Sequence, residues 1–306
     1  MRPEYIVAGI SILNDIEYAD GNKAYGRLGG SGLFACGGIG FFTDSFTFLT
    51  SAGDDYFRYY GTYFEENGID KSAVCLTMPK THHTLLRYEK DGTWNEKSVY
   101  GEDYFSLQEE NCRTSFQKLR PFLHPETKGL YIDSGAHEKI FEEIAEIRRL
   151  SPHITIMWEP PTFSSKDPSL SQRVLDDIRK VDFYSMNLDE AAAFFRTEGK
   201  ENIIKKIIEL GVPSFLRMGE EGSAWIEEGK VYSLHACDPS SAIDVTGCGN
   251  TSAAAALYAR NEASSLSDIP LYANIAAGYC SRFKGPAPFK KARDTHAFEK
   301  MKEYYL

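Results

Sequence analysis

At 306 residues the chain is long enough to bury a full core, and it suits one large α/β domain, or a domain with a small appendage, better than two equal domains. Its 34 basic residues face 44 acidic ones, a formal charge of -10 spread without blocks, which argues against nucleic acid as a partner. No apolar run approaches the roughly 18 residues of a membrane span. The opening Met1-Arg2-Pro3-Glu4-Tyr5 has neither signal nor transit character, so a cytoplasmic location is expected.

Strand-like runs are predicted at Tyr5 to Ile12, Ser45 to Gly53, Leu130 to Ser134, Thr155 to Glu159, Phe183 to Asn187 and Ser214 to Gly219. Helical stretches alternate with them: Gly29 to Phe42, Asp54 to Asn67, Glu138 to Leu150, Leu170 to Lys180, Asp189 to Arg196 and Glu201 to Leu210. Gly211 and Pro213 close the last of these. Such alternation implies a parallel sheet covered on both faces. Val74 to Tyr100 breaks the rhythm, reading as strands joined by an Asp91-Gly92 turn with no helix between, and is expected outside the main sheet as a flap. Ser223 to Glu228 and Val231 to Ala236, around Gly229-Lys230, read as a hairpin that finishes the sheet.

The most informative segment is Asp244-Val245-Thr246-Gly247-Cys248-Gly249-Asn250, a glycine-rich turn that runs into the helix formers Thr251 to Tyr258. Free amides at such a terminus and the helix dipole attract phosphate, and glycines let the backbone approach it. A dinucleotide-binding oxidoreductase is disfavoured, because Gly9 stands alone after the first strand without a GxGxxG pattern. The six cysteines are scattered without a CxxC pair, so neither a zinc site nor a disulfide framework is suggested. Cys248 alone sits where a helix terminus would lower a thiol's pKa; the plainer reading is a small side chain in a glycine turn. His82-His83 reads as a strand pair and not a metal site, and the series Tyr56, Phe57, Tyr59, Tyr60, Tyr63, Phe64 as core plus one interface face.

Four further stretches, in order with that turn, resemble the PfkB/ribokinase family of carbohydrate and nucleoside kinases over nearly the whole chain. They are Leu28-Gly29-Gly30-Ser31-Gly32, Ser51-Ala52-Gly53-Asp54-Asp55 with Asn67-Gly68-Ile69-Asp70, Asn187-Leu188-Asp189-Glu190, and Met218-Gly219-Glu220-Glu221-Gly222. The resemblance implies one domain over 1–306, a ribokinase-like three-layer α/β/α core with a small β-sheet lid formed mainly by about 74–100 with part of 17–28. It also implies ATP and Mg²⁺ as cofactors, a small sugar or nucleoside as substrate, and a homodimer through the lid.

Residue by residue, the resemblance assigns the amides of Gly247, Cys248 and Gly249 to an anion hole. Asp244, Thr246, Asn187, Gly219, Gly222 and Asn274 would lie on the nucleotide side, Asp15, Gly29 and Gly30 on the sugar side, and Glu190 would hold Mg²⁺ through water. Taken locally, Asn187 and Glu190 fit a helix cap equally well. Phe34 departs from the asparagine that many sugar kinases have there, and Arg58 and Trp158-Glu159-Pro160-Pro161 are also unusual, so the substrate stays open.

The central departure is Asn250, which stands where active relatives have the aspartate that takes the proton from the attacking hydroxyl; an amide is no base at neutral pH. Three readings follow: a kinase whose proton leaves through water, substrate phosphate or another carboxylate such as Asp244; a pseudokinase that binds sugar or nucleotide as a sensor; or a substitution made to inactivate the enzyme.

Overall fold

The computed structural model describes residues 2–89, 94–136 and 138–306, so the Asp91-Gly92 turn lies outside the described residues. The first strands are β1 (Tyr5–Ala8), β2 (Ile12–Glu17), β3 (Lys23–Gly29), β4 (Phe46–Gly53), β5 (Val74–Met78), β6 (His83–Tyr88) and β7 (Trp94–Ser98). They are followed by β8 (Gly129–Ile132), β9 (Thr155–Trp158), β10 (Phe183–Asn187), β11 (Ser214–Arg217), β12 (Ser223–Glu227) and β13 (Lys230–Leu234). Nine of them form one sheet in the order β13-β12-β11-β10-β9-β8-β1-β4-β5, parallel from β11 to β5 and closed by the predicted antiparallel hairpin β12-β13.

Because side chains alternate along a strand, β1 feeds two cores: Tyr5 and Val7 pack on one face, Ile6 and Ala8 on the other. The first face is covered by α1 (Ser31–Gly40), α2 (Tyr56–Asn67) and, later in the chain, α10 (Cys248–Glu262) and α11 (Ile269–Cys280). The other lies under α5 (Ile144–Leu150), α7 (Ser171–Ile178), α8 (Leu188–Phe195) and α9 (Lys200–Leu210). The short helices α3 (Glu102–Cys112), α4 (Phe116–Leu119), α6 (Thr162–Lys166), α12 (Phe289–Asp294) and α13 (Ala297–Lys302) complete the chain. This is the three-layer α/β/α architecture expected from the sequence. Helix α9 stops at Gly211 in the left-handed conformation, as its stop signal predicted. No helix among the described residues is long and apolar enough to cross a membrane.

The remaining strands make a separate four-stranded sheet, β3-β2-β6-β7, built from 12–29 and 83–98. Two expectations change here. Val74 to Met78 is not part of the flap: after α2 the chain crosses back and lays β5 parallel on β4, pairing Thr50 with Val74, as a strand-helix-strand unit does. The predicted first strand, Tyr5 to Ile12, is two: it leaves the main sheet at Gly9 and resumes at Ile12 as the lid's β2, beside β6.

Candidate active site

In a parallel sheet every strand points its carboxyl end to the same edge, and that edge carries the site in open α/β folds. Here the ends of β8, β9, β10 and β11 and the starts of α8 and α10 surround a cleft of about 1150 Å³, with Ile12, His82 and Glu96 from the lid side.

The glycine turn is ordered by its own side chains. Asp244 Oδ1 accepts a hydrogen bond from the Thr246 amide at 2.9 Å, and Gly247 takes the left-handed conformation (φ 75°) before α10 begins. Phe34 packs flat on Gly247, so that a Cβ there would overlap its ring, while Thr251 Oγ1 donates to the Phe34 carbonyl at 3.0 Å. Phe34 is thereby buried beneath the turn and is not among the cleft's lining residues. The Cys248 amide already donates to the Val245 carbonyl at 3.2 Å. The next two, of Gly249 and Asn250, find no acceptor among the described residues and sit at the positive end of the helix dipole, where an anion would complete them.

Beside them lies a buried ionic triad. Arg217, the last residue of β11, places Nη1 2.8 Å from Glu159 Oε1 and Nη2 3.0 Å from Glu190 Oε2. Its guanidinium rests against Gly249, where a Cβ would collide with Nη1. Tyr131 donates to Glu159 Oε2 at 2.6 Å and lies within hydrogen-bonding reach of Asn250, while Thr162 Oγ1 donates to Glu190 Oε1 at 2.7 Å. Asn187 and Glu190 form the reciprocal capping box of α8, with Asn187 Oδ1 accepting from the Glu190 amide at 2.8 Å and Glu190 Oε2 from the Asn187 amide at 2.9 Å. Both oxygens of Glu190 are therefore engaged, and a cation held there through water would have to share the carboxylate with Arg217. Among the described residues no three His, Cys, Asp or Glu side chains gather into a metal site. This chain's residues do not by themselves fit a protein-built Mg²⁺ centre.

Across the cleft, Asp133 follows β8 and accepts a hydrogen bond from the Ser31 hydroxyl at the start of α1. Burial pushes its carboxyl up to about 7, Glu159 and Glu138 push the same way, and the bonds from Ser31 and the Ile10 amide pull it back. On the lid side His82 is held neutral, burial lowering it to about 4, with Phe105 edge-on at 5.1 Å.

Of the residues singled out from sequence, Cys248, Gly249, Asn250, Asn187, Glu190, Gly219, Gly222 and Asn274 line this one cleft. Gly247 supports it from behind through its contact with Phe34. Asp15, Gly29, Gly30, Asp244 and Thr246 are not among the lining residues. Asp15 lies on β2, where its Oδ1 accepts from the Gly26 amide at 2.8 Å and His83 Nε2 stands 3.2 Å away. Gly30 caps α1 with its backbone close against Ile10 and Ser11, an approach a Cβ would forbid. Asn274 is fully committed, accepting from Ser223 Oγ at 2.8 Å and donating to the Leu234 and His235 carbonyls, both at 2.9 Å. Sequence reasoning missed Asp133, Arg217, Ser31 and Tyr131; the available signal was a charged residue at the carboxyl end of a parallel strand.

Cys248 is not the activated thiol that a helix terminus suggested. A hydrogen bond with Cys280 and then burial push it well up, and its Sγ lies 3.5 Å from the Ala277 carbonyl. In the native protein at pH 7.5, iodoacetamide should label Cys248 more slowly than a free thiol, as read by mass spectrometry; fast selective labelling would contradict this environment.

A nine-stranded α/β sheet with a β lid, and a cleft at the strand ends that faces free helix-terminus amides, define the ribokinase-like class of fold. The chain matches the family model described as pfkB family carbohydrate kinase over residues 26–289, and it belongs to that family. In fold it is similar to the Methanocaldococcus jannaschii nucleoside kinase (TM-score 0.70, 17% identity, covering 98% of this chain and 99% of that one). Salmonella enterica aminoimidazole riboside kinase, solved with aminoimidazole riboside and an ATP analog, is likewise similar (0.73, 15%, 99% and 99%). So is Arabidopsis thaliana ribokinase complexed with ribose and ATP (0.71, 17%, 99% and 99%). No curated protein matches by sequence.

Proposed function

We propose that this chain transfers the terminal phosphoryl group of ATP to a hydroxyl of a small sugar or related substrate, a nucleoside included. The observation that carries the reading is the pair of amides at Gly249 and Asn250, without an acceptor among the described residues and facing a cleft at the strand ends beside Arg217. Phosphoryl transfer needs in-line positioning and stabilisation of charge on the transferring group, and helix-terminus amides with a neighbouring guanidinium supply both kinds of donor. Mg²⁺ would enter with the nucleotide; no step here is routed through it. Bound sugar would lie under the lid, on the side of the cleft that Ile12 and His82 line, and the lid is the surface expected to pair two copies.

A second reading has its own support. Asn250 cannot accept a proton at neutral pH, so a catalytically silent sensor that binds the same ligands is the rival. ADP release measured across a panel of sugars and nucleosides, with the chain as it stands and with Asn250→Asp, separates the two. Turnover by the unaltered chain on at least one acceptor is the expected result, with the aspartate variant faster by about 10-fold or more, within the roughly 10²–10⁴ that general base help supplies. Ligand binding without turnover by either form would leave the sensor.

A further inference from the structure

If the phosphotransferase reading holds, the proton of the acceptor hydroxyl has to go somewhere, and most carboxylates near Asn250 are already occupied. Glu159 is clamped by Arg217 and Tyr131, Glu190 by Arg217, Thr162 and its capping amide. Asp244, the acceptor suggested from sequence, bonds the Thr246 amide and does not line the cleft. Glu138 turns one oxygen to the Gly135 amide at 2.8 Å. Asp133 differs from these. It lines the cleft, is partly exposed to it, and among the described residues has no cationic partner, whereas Glu138, which lines the cleft too, feels the charges of Arg113 and Lys118.

Its position also fits. Two residues beyond Tyr131 on the same strand direction, Asp133 projects to the same side of the sheet as the tyrosine that lies in reach of Asn250. The N-terminus of α1 fixes it there through Ser31. We propose that Asp133 accepts the proton that a carboxylate at position 250 would have taken. As the acceptor oxygen bonds to the γ-phosphorus of ATP, its O–H bond breaks and the proton passes to Asp133. The bond from γ-phosphorus to the bridging oxygen breaks in the same step, and its electron pair leaves on ADP. Ser31 orients the carboxylate by donating to it.

The groups that face Asp133 support such a role. Burial under α1, Glu159 from the end of β9 and Glu138 from the turn after β8 disfavour its charge, Ser31 and the Ile10 amide favour it, and Arg217 is paired with Glu159. The balance leaves the carboxyl near 7, where a base both is substantially ionised and holds a proton well at neutral pH.

The test compares the unaltered chain, Asp133→Asn, Asn250→Asp and the double variant on an acceptor found in the panel, with ATP binding and thermal melting followed in parallel. Asp133→Asn should lower kcat about 10²–10⁴-fold with little change in ATP affinity, and Asn250→Asp added to it should restore at least about tenfold. The unaltered chain's rate should rise through about pH 7 and the Asn250→Asp profile should begin at lower pH. A rate for Asp133→Asn within threefold of the unaltered chain overturns the proposal. So does turnover by Asn250→Asp with none by the unaltered chain, or the absence of an inflection near pH 7 in the unaltered chain, which needs no Asp133 variant to fold. If all forms bind ATP and none turns over, the kinase reading itself fails and takes this role with it.

Discussion

Replacing Arg217 with methionine should destabilise the protein by about 3–5 kcal/mol at pH 8, because it strands two buried carboxylates, Glu159 and Glu190, that now share one guanidinium. Against a typical net stability of about 5–15 kcal/mol, that is about a fifth of the fold's margin at the least. Methionine keeps the stem's volume, so the loss isolates charge from packing. Protonation relieves a stranded carboxylate, so the variant binds more protons when folded than a solvated chain would. Its deficit should therefore be largest at high pH and shrink as pH falls towards 5. Adding Glu159→Gln should recover part of it. Urea titrations across that range decide the matter, and a deficit independent of pH would show that Arg217 acts through packing and not through the triad.

Gly247→Ala should cost at least about 100-fold in kcat/KM and a similar factor in ATP affinity. The residue holds φ at 75°, where a Cβ costs about 1–2 kcal/mol, and that Cβ would meet the Phe34 ring. Either the turn or α1 must shift, and a displacement of about 1 Å at a transfer site is worth about 10² in rate. Phe34→Ala in the same chain should return part of the loss by making room, while the backbone strain remains. Calorimetry of ATP binding measures this directly; unchanged affinity in Gly247→Ala would mean that the turn does not hold the phosphates.

Much of this framework was legible in the residues. Runs such as Tyr5-Ile6-Val7-Ala8 and Phe183 to Met186, buried on both faces, announce a covered parallel sheet because neither carries a charge and nearly all their side chains are apolar or aromatic. The break at Gly211, the capping pair Asn187 and Glu190, and the glycine turn before α10 are local devices, and local sequence states them. Val74 to Met78 was misplaced because a short amphipathic run does not reveal its neighbour; pairing with β4 depends on how α2 crosses the sheet. Asp133 was passed over for a related reason. It reads as the end of a strand, and only the approach of Ser31, some hundred residues earlier in the chain, and of Glu159 from β9 makes it chemically distinct.

The sequence by itself determined the period of strands and helices, the glycine turn before α10, and the absence of a carboxylate at position 250, since each is written in consecutive residues. The tertiary structure alone decided which charges meet. Glu159 follows β9, Glu190 lies in the first turn of α8 and Arg217 ends β11, and a buried ion pair forms only where the fold brings its members out of water together. Asp133 acquires its altered proton affinity in the same way, from the burial and neighbouring charge that folding imposes on an otherwise ordinary side chain.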